Sequence, residues 1–345
     1  VMHGQYNSLN TDNNISINQS IPFPTVFSKQ AKLNQALVKG SELKQQVTSN
    51  ELISQVKSAY YHWQYLQALR QLLSSQDSIY TAFLKASELR LKTGESNLIE
   101  KTTAETRLME VKNLLVQNAS GILMYQSQLQ ALVNGKQIIQ PAREALVKLE
   151  PALPSDSLAY ARNPALAYLK QQVEISNRQQ KLETARVLPD FNIGYFNQSL
   201  IGYQNVNGTD QYFDASKRFT GFQVGIAIPL WFVPQSARIK AAGVNRDVLQ
   251  SNYEQYQVNV QTRYQQAIQE FLMNRNAITY YETGALPNAE LLISQADAAF
   301  RNGDIGYVEY LQALKHGLSI KENYLLALNQ YNQSVISLEF LTGNQ

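Results

Sequence analysis

The residue types that catalyse reactions or hold metals are sparse in this chain. Its three histidines, His3, His62 and His316, lie far apart, and none has a carboxylate at ligand spacing beside it. No cysteine occurs in the 345 residues, which excludes disulfides, thiol catalysis and Cys-ligated zinc. Nucleophile elbow, phosphate loop, paired-histidine helix and dinucleotide fingerprint are all missing from the sequence. The expectation is a protein that is not an enzyme and uses no metal or cofactor. His62, between Tyr61 and Trp63, reads as a packing or interface residue, and so do the many tyrosines at helical spacing. Two glycines carry clearer meaning. Gly94 and Gly303 each break a long helical pattern, as a left-handed C-cap does. Glu100 and Glu309 follow them at matching positions, and carboxylates so near a helix start suit its dipole.

The elements that position these residues can be bounded by composition first. Lys and Arg number 30 against 27 Asp and Glu, a net charge of +3, so there is no basic stripe for nucleic acid. Charged residues make up only 17%, with Gln, Asn, Ser and Tyr taking up the difference. Such a chain suits surfaces wet on one side and packed on the other. A spanning helix wants about 20 apolar residues in succession; the longest candidate, Val224 to Val233, is short and contains Pro229. Val1 to Asn10 lacks the basic and apolar regions of a secretory signal, so the chain is expected to be mature or part of something longer. A membrane role then runs only through β-strands.

Val1 to Asn14 reads as polar turn material. From Ile15 the pattern alternates through Ile17, Ile21 and Phe23, then meets Pro22 and Pro24, a half-buried strand ending in a forced bend. After Ser28 the period becomes helical, with Val56, Ala59, Trp63, Leu66 and Leu73 on one face up to Gly94. Asn97 to Val133 resumes it. A connector marked by Pro141, Pro151, Pro154 and Pro164 leads to a shorter helix, Ala165 to Val187. Leu188 to Tyr203 alternates again, Asn205 to Asp214 reads as a turn, and Phe219 to Leu230 gives a cleaner strand. Pro229 and Pro234 end it, and helical periodicity runs from Gln235 to Arg301, breaks at Gly303 and resumes to Leu341.

This order is a duplication. Pro22 recurs as Pro229 after 207 residues, while Gly94 recurs as Gly303 and Leu132 as Leu341 after 209. The drift is expected as one small insertion inside the long helix. Each unit reads as strand, proline bend, very long helix, glycine turn and returning helix. The descending helices are about 100 Å long at 1.5 Å per residue, the first return helix only about 55 Å. By the same count only three strands are complete, and the first strand and the helix before it fall outside the chain.

The series Gly225-Ile-Ala-Ile-Pro229-Leu230, Ser87-Glu-Leu-Arg90-Leu-Lys-Thr-Gly94, Leu286-Pro287-Asn-Ala289-Glu290 and Leu338-Glu339-Phe-Leu341-Thr-Gly343 resembles the outer-membrane efflux protein family, the TolC-like exit ducts of tripartite pumps. The stretch Leu286 to Glu290 is most similar to the heavy-metal branch, whose inner-membrane partners are RND-type transporters. The resemblance implies a mainly α protein with a small β part: tandem long helical hairpins, with strands contributed to a shared trimeric β-barrel that continues into a helical tunnel. Three segments are expected, residues 1–135 as the first hairpin repeat, 136–164 as an equatorial connector and 165–345 as the second repeat.

It further implies a homotrimer in outer-membrane lipid of a Gram-negative cell, docked through its tips to a periplasmic membrane-fusion adaptor beneath an RND transporter. Some family members are joined to that transporter in one polypeptide. The first tip, at Gly94, matches at Arg90, Glu95 and Ser96, and the second, at Gly303, matches at Asp304 and Gly306; Ala299 stands where the family has an arginine, with Arg301 nearby in the same tip. Pro22, Pro24, Pro229 and Pro234 are the strand-to-helix bends. In such a tunnel Glu100 and Glu309 would either ring the mouth and favour cations or serve only their helix starts. Val224, Ile226 and Ile228 would face lipid. The competing reading is a coiled-coil scaffold without a transport role, which leaves the duplicated strands and their prolines unexplained.

Overall fold

The computed structural model describes residues 2–9, 12–135, 145–151 and 158–344. In chain order the elements are strands β1 (Met2–Leu9) and β2 (Asp12–Ile21), helices α1 (Pro24–Thr93), α2 (Leu98–Leu132) and α3 (Pro164–Ala185), strands β3 (Asp190–Ser199), β4 (Gly202–Val206), β5 (Thr209–Phe213) and β6 (Arg218–Ala227), and helices α4 (Val233–Tyr280), α5 (Leu286–Asn302) and α6 (Tyr307–Thr342). Contacts divide the chain into two compact units, Val1–Gln45 with Ala165–Tyr256 and Gln46–Pro164 with Gln257–Gln345. Each unit draws on both sequence repeats. Pro141 and Pro154, with most of the expected connector, lie outside the described residues.

The first unit holds an antiparallel sheet in the order β1-β2-β3-β6. It corrects the reading of residues 1–14 as turn material and of three strands only: β1 pairs with β2 along its whole length, Tyr6 opposite Ile15 and Gly4 opposite Ile17. A strand this polar shows no clean alternation, and the ladder with its neighbour, which sequence period cannot register, decides its state. The residues expected as a turn at 205–214 instead belong mostly to a hairpin of β4 and β5. Asn207 (φ 53°) and Gly208 (φ 87°) supply its two-residue turn, the left-handed pair such hairpins need.

Register sorts the main sheet into two faces. Ile17 and Ile21 lie opposite Tyr195 and Phe191, Ile15 opposite Asn197 and Gln19 opposite Ile193, and Tyr195, Ile193 and Phe191 lie opposite Phe222, Val224 and Ile226, all on one side. Asn14, Ser16, Asn18 and Ser20 share the other with Asn192, Gly194, Gly221 and Gln223. The apolar face is open: Phe222 and Val224 are each 82% exposed. Ten residues of strand span about 33 Å, enough when tilted to cross the apolar part of a bilayer. Among the described residues no helix is long and apolar enough to do so.

At the bends, Pro24 is the first residue of α1 and Pro234 the second of α4, positions where a missing N–H costs nothing and a fixed φ helps. From Pro24 to Thr93 is 70 residues. The matching descent, α4, a π-turn at Tyr281–Ala285 and α5, has 48, 5 and 17 residues, again 70. The repeat drift is therefore not inside the helix, as expected from sequence, but at the second bend: Leu230, Trp231 and Phe232 stand between Pro229 and α4, where only Phe23 stands between Pro22 and α1. The π-turn itself has a local cause. Pro287 cannot donate to Thr283 and would clash with its carbonyl, so the helix opens one turn earlier, where the Leu286 N–H reaches Tyr281.

In the second unit uncharged amides join helices. Buried Asn118 donates to the Leu66 carbonyl at 3.0 Å, Asn50 to Phe340 at 3.0 Å and Asn163 to Leu341 at 3.1 Å. Asn332, fully buried, accepts from the Leu149 N–H at 2.9 Å and donates to the Val147 carbonyl at 2.8 Å, fixing the extended segment 147–149 on α6. The low charge and high amide content of the sequence are used here: such groups cross an interface without the desolvation cost of an ion.

Candidate functional site

The two hairpin tips pack together. Phe83 of α1 stacks on Tyr307 of α6 (centroids 4.7 Å apart), and Phe300 of α5 on Tyr310 (4.6 Å), over a core that includes Leu108, Val111, Leu314 and Leu318. The Tyr307 hydroxyl donates to the Glu100 carbonyl at 2.8 Å, bolting the second tip to the first. Burial, helped by the charges of Glu100 and Tyr80, pushes this phenol up to about 12.

Each tip ends its helix on a left-handed glycine, Gly94 at φ 78° and Gly303 at φ 80°. The next N–H returns to the last turn: Glu95 to the Arg90 carbonyl at 2.8 Å, Asp304 to Ala299 at 2.9 Å. The expected tip side chains then divide. Arg90 donates to the Glu100 carboxylate at 3.0 Å and Ser96 to its other oxygen at 2.5 Å, while the Glu100 N–H is capped by Asn97 at 3.0 Å. Glu309 accepts from the Gly306 N–H at 2.7 Å. Glu309 thus caps its helix start, whereas the Glu100 carboxylate ties the first turn to the end of α1. Arg301 pairs with Asp297 at 3.0 Å, an exposed i,i+4 contact worth little. Glu95 and Asp304 remain exposed at the turns, at equivalent repeat positions, without a side-chain partner among the described residues.

Between the starts of α2 and α6 lies a groove of about 790 Å³, lined by Asn97, Ile99, Thr103, Val308, Gln312 and Lys315, with Tyr80 and Tyr307 beneath. Ile99 is 75% and Val308 62% exposed. These two apolar residues were not singled out in the sequence, although their 209-residue spacing and their place beside the polar tips were legible.

The four bend prolines sit in the first unit, away in sequence from this groove. The described histidines form no site: His62 lies 3.0 Å from the Ser58 carbonyl through Nδ1 and stacks on Tyr125. Among the described residues no cluster of acids and histidines could hold a metal ion.

No match to a curated protein was found. Several solved structures share the fold across the chain. CusC covers 100% of it over 82% of its own length (TM-score 0.77, 17% identity), and the Campylobacter jejuni CmeC outer membrane channel covers 100% over 76% (0.78, 12%). The outer membrane protein VceC of Vibrio cholerae covers 99% over 85% (0.76, 16%). Residues 156–344 match the family model for outer membrane efflux proteins. That match spans more than half of the chain, and the chain belongs to the outer membrane efflux protein family, channels of the outer membrane rather than enzymes.

Proposed function

We propose that three copies of this chain form the exit duct of a tripartite RND-type pump that exports heavy-metal cations, and that the tip groove seats the helical hairpin of a periplasmic adaptor. The observation that carries the reading is the groove between α2 and α6, flanked by Ile99 and Val308 at equivalent positions of the two repeats. Two exposed apolar side chains on a rigid floor suit a helical partner that buries a small area and releases again. Lys315 and Gln312 add polar contacts along one wall. The duct is passive: the pump selects the cargo, and the polar face of the sheet and the exposed acids Glu95 and Asp304 offer a cation no strong ligand. Heavy-metal cargo rests on the resemblance of Leu286 to Glu290 alone.

A photo-crosslinking residue at Ile99 or Val308, in cells expressing the whole pump, tests the docking. Capture of the adaptor from both positions, and not from exposed Val258 on α4, is expected. Equal capture from all three, or from Val258 alone, would place docking elsewhere. A coiled-coil scaffold would yield no adaptor and leave metal resistance unchanged on deletion of the gene.

A further inference from the structure

Two glycines on the polar face of the sheet each lie under a side chain of the neighbouring strand. Phe196 of β3 stands directly opposite Gly221 of β6. A Cβ at residue 221 would lie 2.6 Å from the Phe196 Cζ and 2.7 Å from its Cε1, far inside the contact distance of two unbonded carbons. The far end of the ring is what such a Cβ would meet, so the ring lies across the sheet over the Gly221 backbone. Gly194 is covered in the same way by the amide of Asn18, its ladder partner on β2. Gly225 differs: a Cβ there would be in ordinary contact, 3.9 Å from the Asn192 Cβ.

The Phe196 ring has no second place to lie. On its other side β2 presents Ser16, whose own Cβ fills the matching position. Its polar-face neighbours along β3 are Gly194, already under Asn18, and Gln198. Phe219, the other aromatic residue on this face of β2, β3 and β6, is turned to Phe213 of the hairpin, with ring centroids 5.4 Å apart. Strand side chains otherwise stand roughly perpendicular to the sheet, and on the inner face of a closed barrel that direction is toward the axis.

We infer that Gly221 is a positioning residue for transport: it keeps the Phe196 ring flat against the wall and so sets the bore of the barrel at this level. Around a trimer three such rings lie at one height, and a change at residue 221 narrows the passage from three sides. This inference rests on the reading of the sheet as one third of a shared barrel with its polar face to the lumen. An alanine at 221 displaces only the end of a side chain that turns about its own χ angles, so the ring swings into the lumen while the β3–β6 ladder stays.

The chain has no cysteine, so Ser20→Cys puts one thiol on the polar face. That residue pairs with Asn192, four residues or about 13 Å nearer the helices than Phe196. Polyethylene glycol maleimides of rising mass are added outside intact cells that make the full-length protein, and the largest one to shift it on a gel measures the bore. Gly221→Ala should lower that limiting mass about twofold or more. Gly225→Ala, the same methyl on the same face, should not change it. Phe196→Ala alone should also leave it unchanged, the ring being already out of the passage. Adding Phe196→Ala to Gly221→Ala should restore the parent limit. An unchanged limit in Gly221→Ala overturns the inference. So does a raised limit in Phe196→Ala, which would mean that the ring already projects, or a lowered limit that the double variant fails to restore. A small charged methanethiosulfonate separates this claim from the barrel reading. Modification of Ser20→Cys and not of Val224→Cys upholds the barrel and leaves the polymer limits to decide on Gly221. Modification of Val224→Cys alone, or of both equally, refutes the barrel reading too.

Discussion

Gly94 and Gly303 have positive φ and no atom within 4 Å of where a Cβ would stand. A β-branched side chain there meets no clash, so its cost is the left-handed backbone alone, about 1–2 kcal/mol. Gly94→Val is therefore expected to lower thermal stability modestly and to leave a folded protein, as circular dichroism would register. Tyr307 gives a pH-dependent test at the same site. Its folded-state value, about 12, lies above the 10.0 of a free phenol, so the neutral form is the one the fold favours. That stabilisation is complete below pH 10 and disappears as pH rises through about 12. The alkaline loss of tip order over this window should shrink in Tyr307→Phe, followed by tyrosinate absorbance alongside melting temperature. An identical alkaline profile in the variant would show that Tyr307 does not hold the tips together.

At the scale of elements, Asn332 offers the sharpest test. Asn332→Leu leaves the Leu149 N–H and the Val147 carbonyl without their partner, at about 1–3 kcal/mol for buried polar groups left unpaired. Hydrogen exchange at Leu149 should quicken while α6 keeps its protection. Exchange unchanged at Leu149 would mean the segment is held by other contacts. Helices, glycine caps and proline bends were legible in the sequence because each has a local signature: a 3.6-residue period, a break at Gly94 or Gly303, a Pro at Pro24 or Pro234. What was not legible depends on partners distant in sequence. β1 is a strand because β2 lies beside it, and the groove exists because Phe83 and Tyr307 bring the two tips together. The drift between Pro22–Pro229 and Gly94–Gly303 was countable, yet its position was not, since a helix of 70 residues tolerates an insertion in sequence as readily as a bend does. The bonds of Arg90 and Ser96 to Glu100 were not legible, because they arise only when the turn closes.

For the whole molecule, the sheet order leaves β1 and β6 as open edges of a twisted sheet whose apolar face is bare. Unpaired edges of this length demand a partner, and on the proposed trimer further copies would supply it, β6 of one pairing with β1 of the next. The full-length protein in mild detergent should give, by native mass spectrometry, a species of three times its own monomer mass, with the monomer minor. A solely monomeric preparation would contradict the shared barrel. The efflux role is tested most directly by metal resistance in cells whose only copy carries both Gly94→Val and Gly303→Val. With the variant at normal level in the outer membrane, resistance should fall to that of the deletion strain, because both tips then misplace the groove walls around Ile99 and Val308. Full resistance in that strain would contradict the account: the tips would be plain turns and the docking surface elsewhere.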